Sequence, residues 1–140
     1  TRMLNQVSLF TENQEGGLYR ITSVLKDANI NIYTMLANDS AEFGIVRLIV
    51  NDGSRALEAL KAAGYQCRWD KVIAVMMEDT PGYLHGILQA IHDANINLNY
   101  LYISFDREAN KPVVIFKTEE PETVTFLLGR GYKLIENFEE

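Results

Sequence analysis

Residues 15–32 read EGGLYRITSVLKDANINI, and 66 positions later residues 81–98 read PGYLHGILQAIHDANINL. Eight of these eighteen pairs are identical, including the whole Asp-Ala-Asn-Ile-Asn run at 27–31 and 93–97. Such self-similarity at a fixed spacing is the mark of one supersecondary unit used twice. It divides the 140 residues into two units, 1–69 and 70–140, each close to the lower size limit for an independent core. With 47% hydrophobic residues, the halves are expected to share buried surface.

Within the first copy, residues 6–12 mix β-branched and aromatic residues in the manner of a strand. A Gly-containing break follows at 13–17. From Leu18, apolar residues at 18, 21, 24, 25 and 28 form one stripe of an amphipathic helix. Asn29 stands where a left-handed helix cap belongs. Strands are expected over about 30–37 and 43–50, joined by a polar turn at 38–40. Asn51-Asp52-Gly53-Ser54 then caps a helix over 55–63 that stops at Gly64, and a short strand at 65–68 completes the unit.

The second copy repeats these steps: a strand at 72–78, a helix ending at Asn95, and a hairpin of 96–105 and 112–117. A helix over about 122–129 and a strand at 132–135 finish it. Thr80-Pro81 reads as an N-cap hydroxyl followed by proline at the first helical position. The order in each copy is β-α-β-β-α-β, so the fold class is α+β: two tandem ferredoxin-like units, each a four-stranded antiparallel sheet with its helices on one face. About 66–71 joins the halves, with no Gly/Ser or Pro-rich linker, and Trp69 at this junction reads as interdomain packing.

That plan hosts many functions, but the residues are more specific than the plan. Asp79-Thr80-Pro81-Gly82-Tyr83-Leu84, followed after a helix by Asn95-Ile96-Asn97-Leu98, resembles the signature of ACT domains, small amino-acid-sensing modules. The first copy matches as Asn13-Gln14-Glu15-Gly16-Gly17-Leu18 and Asn29-Ile30-Asn31-Ile32. The resemblance covers essentially the whole chain as a tandem repeat. It implies a free-standing regulatory, allosteric protein that binds a small amino acid between two such units, using the loop of one and the strand asparagine of the other. A partner metabolic enzyme and a homodimer are further implications. The ligand-binding residues it marks are Asp79, Pro81, Gly82, Tyr83, Leu84 and Asn97 in the second copy, and Asn13, Gly16, Gly17, Leu18 and Asn31 in the first.

The chemistry of these residues suits a zwitterion. A glycine-containing strand-to-helix turn exposes N–H groups and the positive end of the helix dipole, which attract a carboxylate. Gly16 and Gly82 let the backbone approach a ligand where a Cβ would intrude. Asp79 or Asn13 can accept a hydrogen bond from an α-ammonium, and Asn31 and Asn97 offer both donor and acceptor. Glu15 replaces proline in the first copy and puts negative charge where a carboxylate would bind, so the second-copy turn is expected to be the stronger site.

Other classes fit less well. The net charge is −6, with 19 acids and 13 bases and no basic stripe, which argues against nucleic acid. The order is shared with RNA-recognition motifs, and residues 41–48 echo their third strand, but Ile45 replaces a stacking aromatic. No phosphate-cradling loop with an arginine and no Ser-His-Asp or Cys-His set is apparent, so no catalytic residues are assigned and the chain is read as a non-enzyme. The single Cys67 cannot form an internal disulfide. His85 and His92 lie seven residues apart, about 10 Å along a helix, too far to share a zinc ion. No metal or cofactor is expected. Without a membrane-length apolar run or a signal-peptide core, the expected location is the cytoplasm, away from membranes. A ligand-free structural or assembly module of the same fold is the alternative reading.

Overall fold

The computed structural model describes residues 3–12, 17–38, 43–136 and 138. Its elements run β1 (Leu4–Glu12), α1 (Gly17–Asp27), β2 (Ile32–Asn38), β3 (Phe43–Val50), α2 (Gly53–Ala62), β4 (Gln66–Met76), α3 (Tyr83–Asp93), β5 (Leu98–Asp106), β6 (Lys111–Thr118), α4 (Pro121–Leu128) and β7 (Lys133–Ile135). They build two compact units, Asn5–Asp70 and Lys71–Glu140, with Leu4 belonging to the second. The strand expected at 65–68, the joining residues and the strand expected at 72–78 are one eleven-residue strand, β4. Each unit has the β-α-β-β-α-β order and an α+β, ferredoxin-like fold.

In the first unit the sheet order is β2-β3-β1-β4. Strand β3 pairs antiparallel with both β1 and β2. Alternation sends Val7 and Leu9 of β1, with Val46 and Leu48 of β3, to the helix-covered face. There they meet Ile21 and Leu25 of α1 and Ala56 and Leu60 of α2. Each helix buries a pair four residues apart, the spacing of one helical face, and each large side chain so buried contributes roughly 1.5–3 kcal/mol. Leu18, at the start of the expected stripe, is instead 43% exposed. Asp52 is the N-cap of α2, its carboxylate accepting from the Arg55 N–H at 3.2 Å. The Trp69 ring belongs to this unit's own packing: a Cβ built on Gly53 would fall 2.6 Å from its Cη2 atom.

The opposite face of this sheet carries buried polar side chains. Gln6 and Ser8 alternate with Val7 and Leu9, and neither is more than 1% exposed. The Gln6 side-chain amide donates to Ser8 Oγ at 3.1 Å, and the Ser8 hydroxyl donates to Asp70 Oδ2 at 2.7 Å. Arg68 Nε lies 3.4 Å from the other Asp70 oxygen. A buried carboxylate needs such partners, because an unpaired one is costly to remove from water.

In the second unit β4 pairs antiparallel with β6 and β7, and β5 pairs antiparallel with β6. The sheet order is therefore β7-β4-β6-β5. Ile73, Val75, Val114 and Phe116 pack under Ile87 and Ile91 of α3 and Val124 and Leu128 of α4. Strand β5 forms an edge, and Leu101, Ile103 and Phe105 on it are 37%, 57% and 48% exposed.

The helix exits follow the expected cap chemistry at three places. Asn29 and Asn95 have φ of 58° and 60°. The Asn29 N–H donates to Lys26 O and the Ile30 N–H to Leu25 O. The Asn95 and Ile96 N–H groups do the same to His92 O and Ile91 O. These are Schellman motifs with asparagine in the left-handed position. Gly64, at φ 97°, closes α2 in the same way. The second Gly-Tyr exit differs: Gly131 and Tyr132 both donate to Leu128 O, at 3.2 and 3.0 Å.

Candidate functional site

The turn between β4 and α3 gathers five of the marked residues. After β4 the Met77 N–H donates to Pro112 O at 2.8 Å, which anchors the last buried residue before the turn. Residues 78–82 are exposed. The Tyr83 N–H donates to Thr80 O at 3.3 Å, closing a four-residue turn with Pro81 and Gly82 at its centre. Gly82 has φ 85° and ψ −3°. Proline second and a left-handed glycine third is the type II turn, which a Pro-Gly dipeptide favours.

This corrects the expected helix start. Thr80 is not the N-cap and Pro81 is not the first helical residue; Gly82 is the N-cap and α3 begins at Tyr83. Pro-Gly carries two signals, helix start and type II turn, and the left-handed glycine cannot continue a right-handed helix. The consequence for chemistry is direct. The N-cap has no side chain to engage the first N–H groups, and no acidic residue stands in the first turn. The N–H groups of Leu84 and His85 therefore have no intrahelical acceptor. A Cβ on Gly82 would meet nothing within 4 Å, so the backbone face of this turn is open. Asp79 is exposed three residues before the N-cap, and Tyr83 and Leu84 are half-buried against the core of the unit.

Asn97 is not part of this group. It follows α3 at its far end, and eleven residues at about 1.5 Å each put some 16 Å of helix between it and the turn. Its carbonyl accepts from the Thr118 hydroxyl at 3.1 Å, and Thr118 Oγ1 in turn accepts from the Glu120 N–H at 3.2 Å. Its side chain is left exposed. In the first unit Asn31 is held similarly: its N–H donates to Asn51 Oδ1 at 2.9 Å and its carbonyl accepts from the Asn51 N–H at 3.0 Å. Gly17 opens α1 and Leu18 follows it on the surface. Asn13 and Gly16 lie outside the described residues.

Two side chains beside the turn were not marked by the sequence. Lys111 pairs with Glu78 at 2.8 Å, neutralising the carboxylate that immediately precedes Asp79. Tyr132 packs edge to face on Tyr83, with ring centroids 5.7 Å apart. Neither contact has a local signal, since each joins residues more than thirty positions apart. Among the described residues no group of three His, Cys, Asp or Glu could hold a metal ion, and no helix is long and apolar enough to cross a membrane.

Solved structures place this architecture among known proteins. Protein BT0572 from Bacteroides thetaiotaomicron is 27% identical, with 96% of this chain and 92% of that one covered and a TM-score of 0.88. The ligand-free regulatory subunit of aspartate kinase from Thermus thermophilus is 16% identical over 92% of this chain and 93% of its own, with a TM-score of 0.66. Its counterpart from Thermus flavus is 15% identical, covers 90% of each chain and has a TM-score of 0.60. At those two identities the likeness is one of fold. No curated protein matches the chain. A family profile described as an ACT domain pair matches residues 2–137. The chain belongs to the ACT domain pair family, a regulatory family.

Proposed function

We propose that this protein is a non-catalytic regulator that binds a small amino acid at the 79–84 turn and passes its occupancy to a partner enzyme. The open, uncapped start of α3 carries the reading. The ligand carboxylate would take the N–H groups that Gly82 leaves without a side-chain acceptor. Asp79 would accept from the α-ammonium. Asn97 stands too far along α3 to reach its own turn, so the second half of the site would come from the strand asparagine of another ACT unit, Asn97 or Asn31. The first-copy turn, with Asn13, Gly16, Gly17 and Leu18, is the weaker candidate because Glu15 opposes an anion there. The Thermus thermophilus neighbour is a regulatory subunit of an enzyme, which agrees with an enzyme partner here.

A thermal-shift screen of the twenty amino acids tests this. At one hundred times its dissociation constant a ligand stabilises the native state by about 2.7 kcal/mol, several degrees in Tm for a chain of this size. The binder should lose affinity in Asp79→Ala and in one of Asn97→Ala or Asn31→Ala. If no amino acid at millimolar concentration moves the melting curve, the sensor reading fails.

One observation favours the second reading, an assembly module. An edge strand exposing Leu101, Ile103 and Phe105 is a template for pairing, and in a homodimer it would meet its own copy. A dimer in light scattering that Ile103→Lys converts to monomer, with no amino-acid response in either form, would favour assembly over sensing.

A further inference from the structure

The contact between Tyr83 and Tyr132 exists in one copy of the repeat only. Tyr83 is the first residue of α3, and the Cβ of a helical residue leans toward the helix N-terminus, here toward the 79–82 turn. Its half-buried ring meets the Tyr132 ring at an interplanar angle of 85°. Tyr132 is itself fixed from two sides. Its N–H donates to Leu128 O at 3.0 Å, and its hydroxyl lies across Gly86, where an added Cβ would come within 3.4 Å of it. In the first copy the residue matching Tyr83 is Gly17, and the one matching Gly86 is Arg20, although Tyr65 matches Tyr132. Both tyrosine partners, with a glycine beside the Tyr132 hydroxyl, are therefore present together only beside the second-copy turn.

A half-exposed ring at the head of a helix ordinarily samples several rotamers, and ordering it on ligand contact costs affinity. An edge-to-face partner restricts that freedom before any ligand arrives. We propose that Tyr132 is a positioning residue that holds the Tyr83 ring as a preformed wall of the 79–84 site, so that this site favours amino acids with large apolar or aromatic side chains over glycine. The proposal rests on the amino-acid reading above and adds to it the class of side chain and the residue that sets it.

Calorimetric titration with glycine, alanine, leucine and phenylalanine tests it on the wild type, Tyr132→Ala and Tyr132→Phe. The wild type should bind leucine or phenylalanine more tightly than glycine. That ratio should fall roughly three- to tenfold in Tyr132→Ala and return in Tyr132→Phe, which keeps the ring and loses only the hydroxyl. If Tyr132→Ala does not fold, Gly86→Leu displaces the phenol without deleting it and should lower the same ratio. An unchanged ratio in Tyr132→Ala, or a wild type that prefers glycine, overturns the positioning role while amino-acid binding stands. A wild type that binds none of the four, while a polar or charged amino acid moves its melting curve, overturns the side-chain class and leaves sensing intact. Silence from all twenty ends both.

Discussion

Replacing Gly82 with alanine isolates a backbone effect, because an added Cβ meets nothing within 4 Å. Its φ of 85° lies in the left-handed region, where an L-residue costs about 1–2 kcal/mol. Alanine also restricts the unfolded chain, which returns about 0.4–1 kcal/mol. The net expectation is a loss of about 1 kcal/mol, close to 4 °C in Tm for a chain of this length. Gly131 supplies the control. It too has open space around its Cβ position, but its φ is not in the left-handed region. Gly131→Ala should therefore feel only the unfolded-state effect and gain a few tenths to about 1 kcal/mol. Differential scanning calorimetry should thus separate the two variants by some 6 °C, with the wild type between them. Equal melting temperatures for the two variants would refute the argument that Gly82 is held in a conformation only glycine adopts cheaply. The same reasoning disqualifies Gly82→Val as a ligand-blocking variant, since a β-branched residue at this φ would strain the turn whether or not a ligand binds.

The buried polar face and the cysteine give two further expectations. Ser8→Ala removes the 2.7 Å donor to Asp70 at a position 1% exposed and should cost about 1–2 kcal/mol in urea denaturation; a neutral result would mean the Asp70 carboxylate is satisfied without it. Burial raises the Cys67 pKa, with Lys61 offsetting part of the rise. The unfolded thiol then ionises first, so Cys67 stabilises fully below about pH 8.5 and progressively less as pH climbs toward the folded value. Tm measured from pH 7.5 to 10 should fall more steeply in the wild type than in Cys67→Ser, and parallel curves would remove Cys67 as a cause.

The parts of this fold that were legible in the sequence are those decided within a few residues. Asn29 and Asn95 could be read as left-handed caps because the apolar stripe ends just before each and a non-glycine residue in that conformation is most often asparagine. The first and third helices emerged from their apolar stripes, and the second from its Asn51–Ser54 cap and Gly64 stop, for the same reason. What escaped was set by partners far along the chain. Gln6 and Ser8 look like the solvent-facing positions of a half-exposed strand, and only the pairing of β1 with β4 brings Asp70 to them. Lys111 lies after a charged turn and reads as surface, until Met77 bonds to Pro112 and the adjoining residues Glu78 and Lys111 meet.

Pro81-Gly82 marks the boundary between those two kinds of information. Both readings of the dipeptide are local, and local rules alone do not choose between a proline at the first helical position and a proline inside a type II turn. The second turn places the glycine, rather than the threonine hydroxyl, at the helix N-cap. A threonine N-cap would satisfy one of the first-turn N–H groups itself and compete with a ligand for it. Glycine leaves those donors to solvent, at a cost in helix stability that a bound carboxylate would recover. The repeat shows the same divergence at its other end: the extra residue before Gly131 denies the second copy the left-handed exit that Gly64 gives the first, and in its place Tyr132 is tied to Leu128 and set against Tyr83. The two units thus repeat the same core pattern, each in its own cluster, while the second departs from the first in sequence at Pro81-Gly82 and in the helix exit that sets Tyr132 against Tyr83.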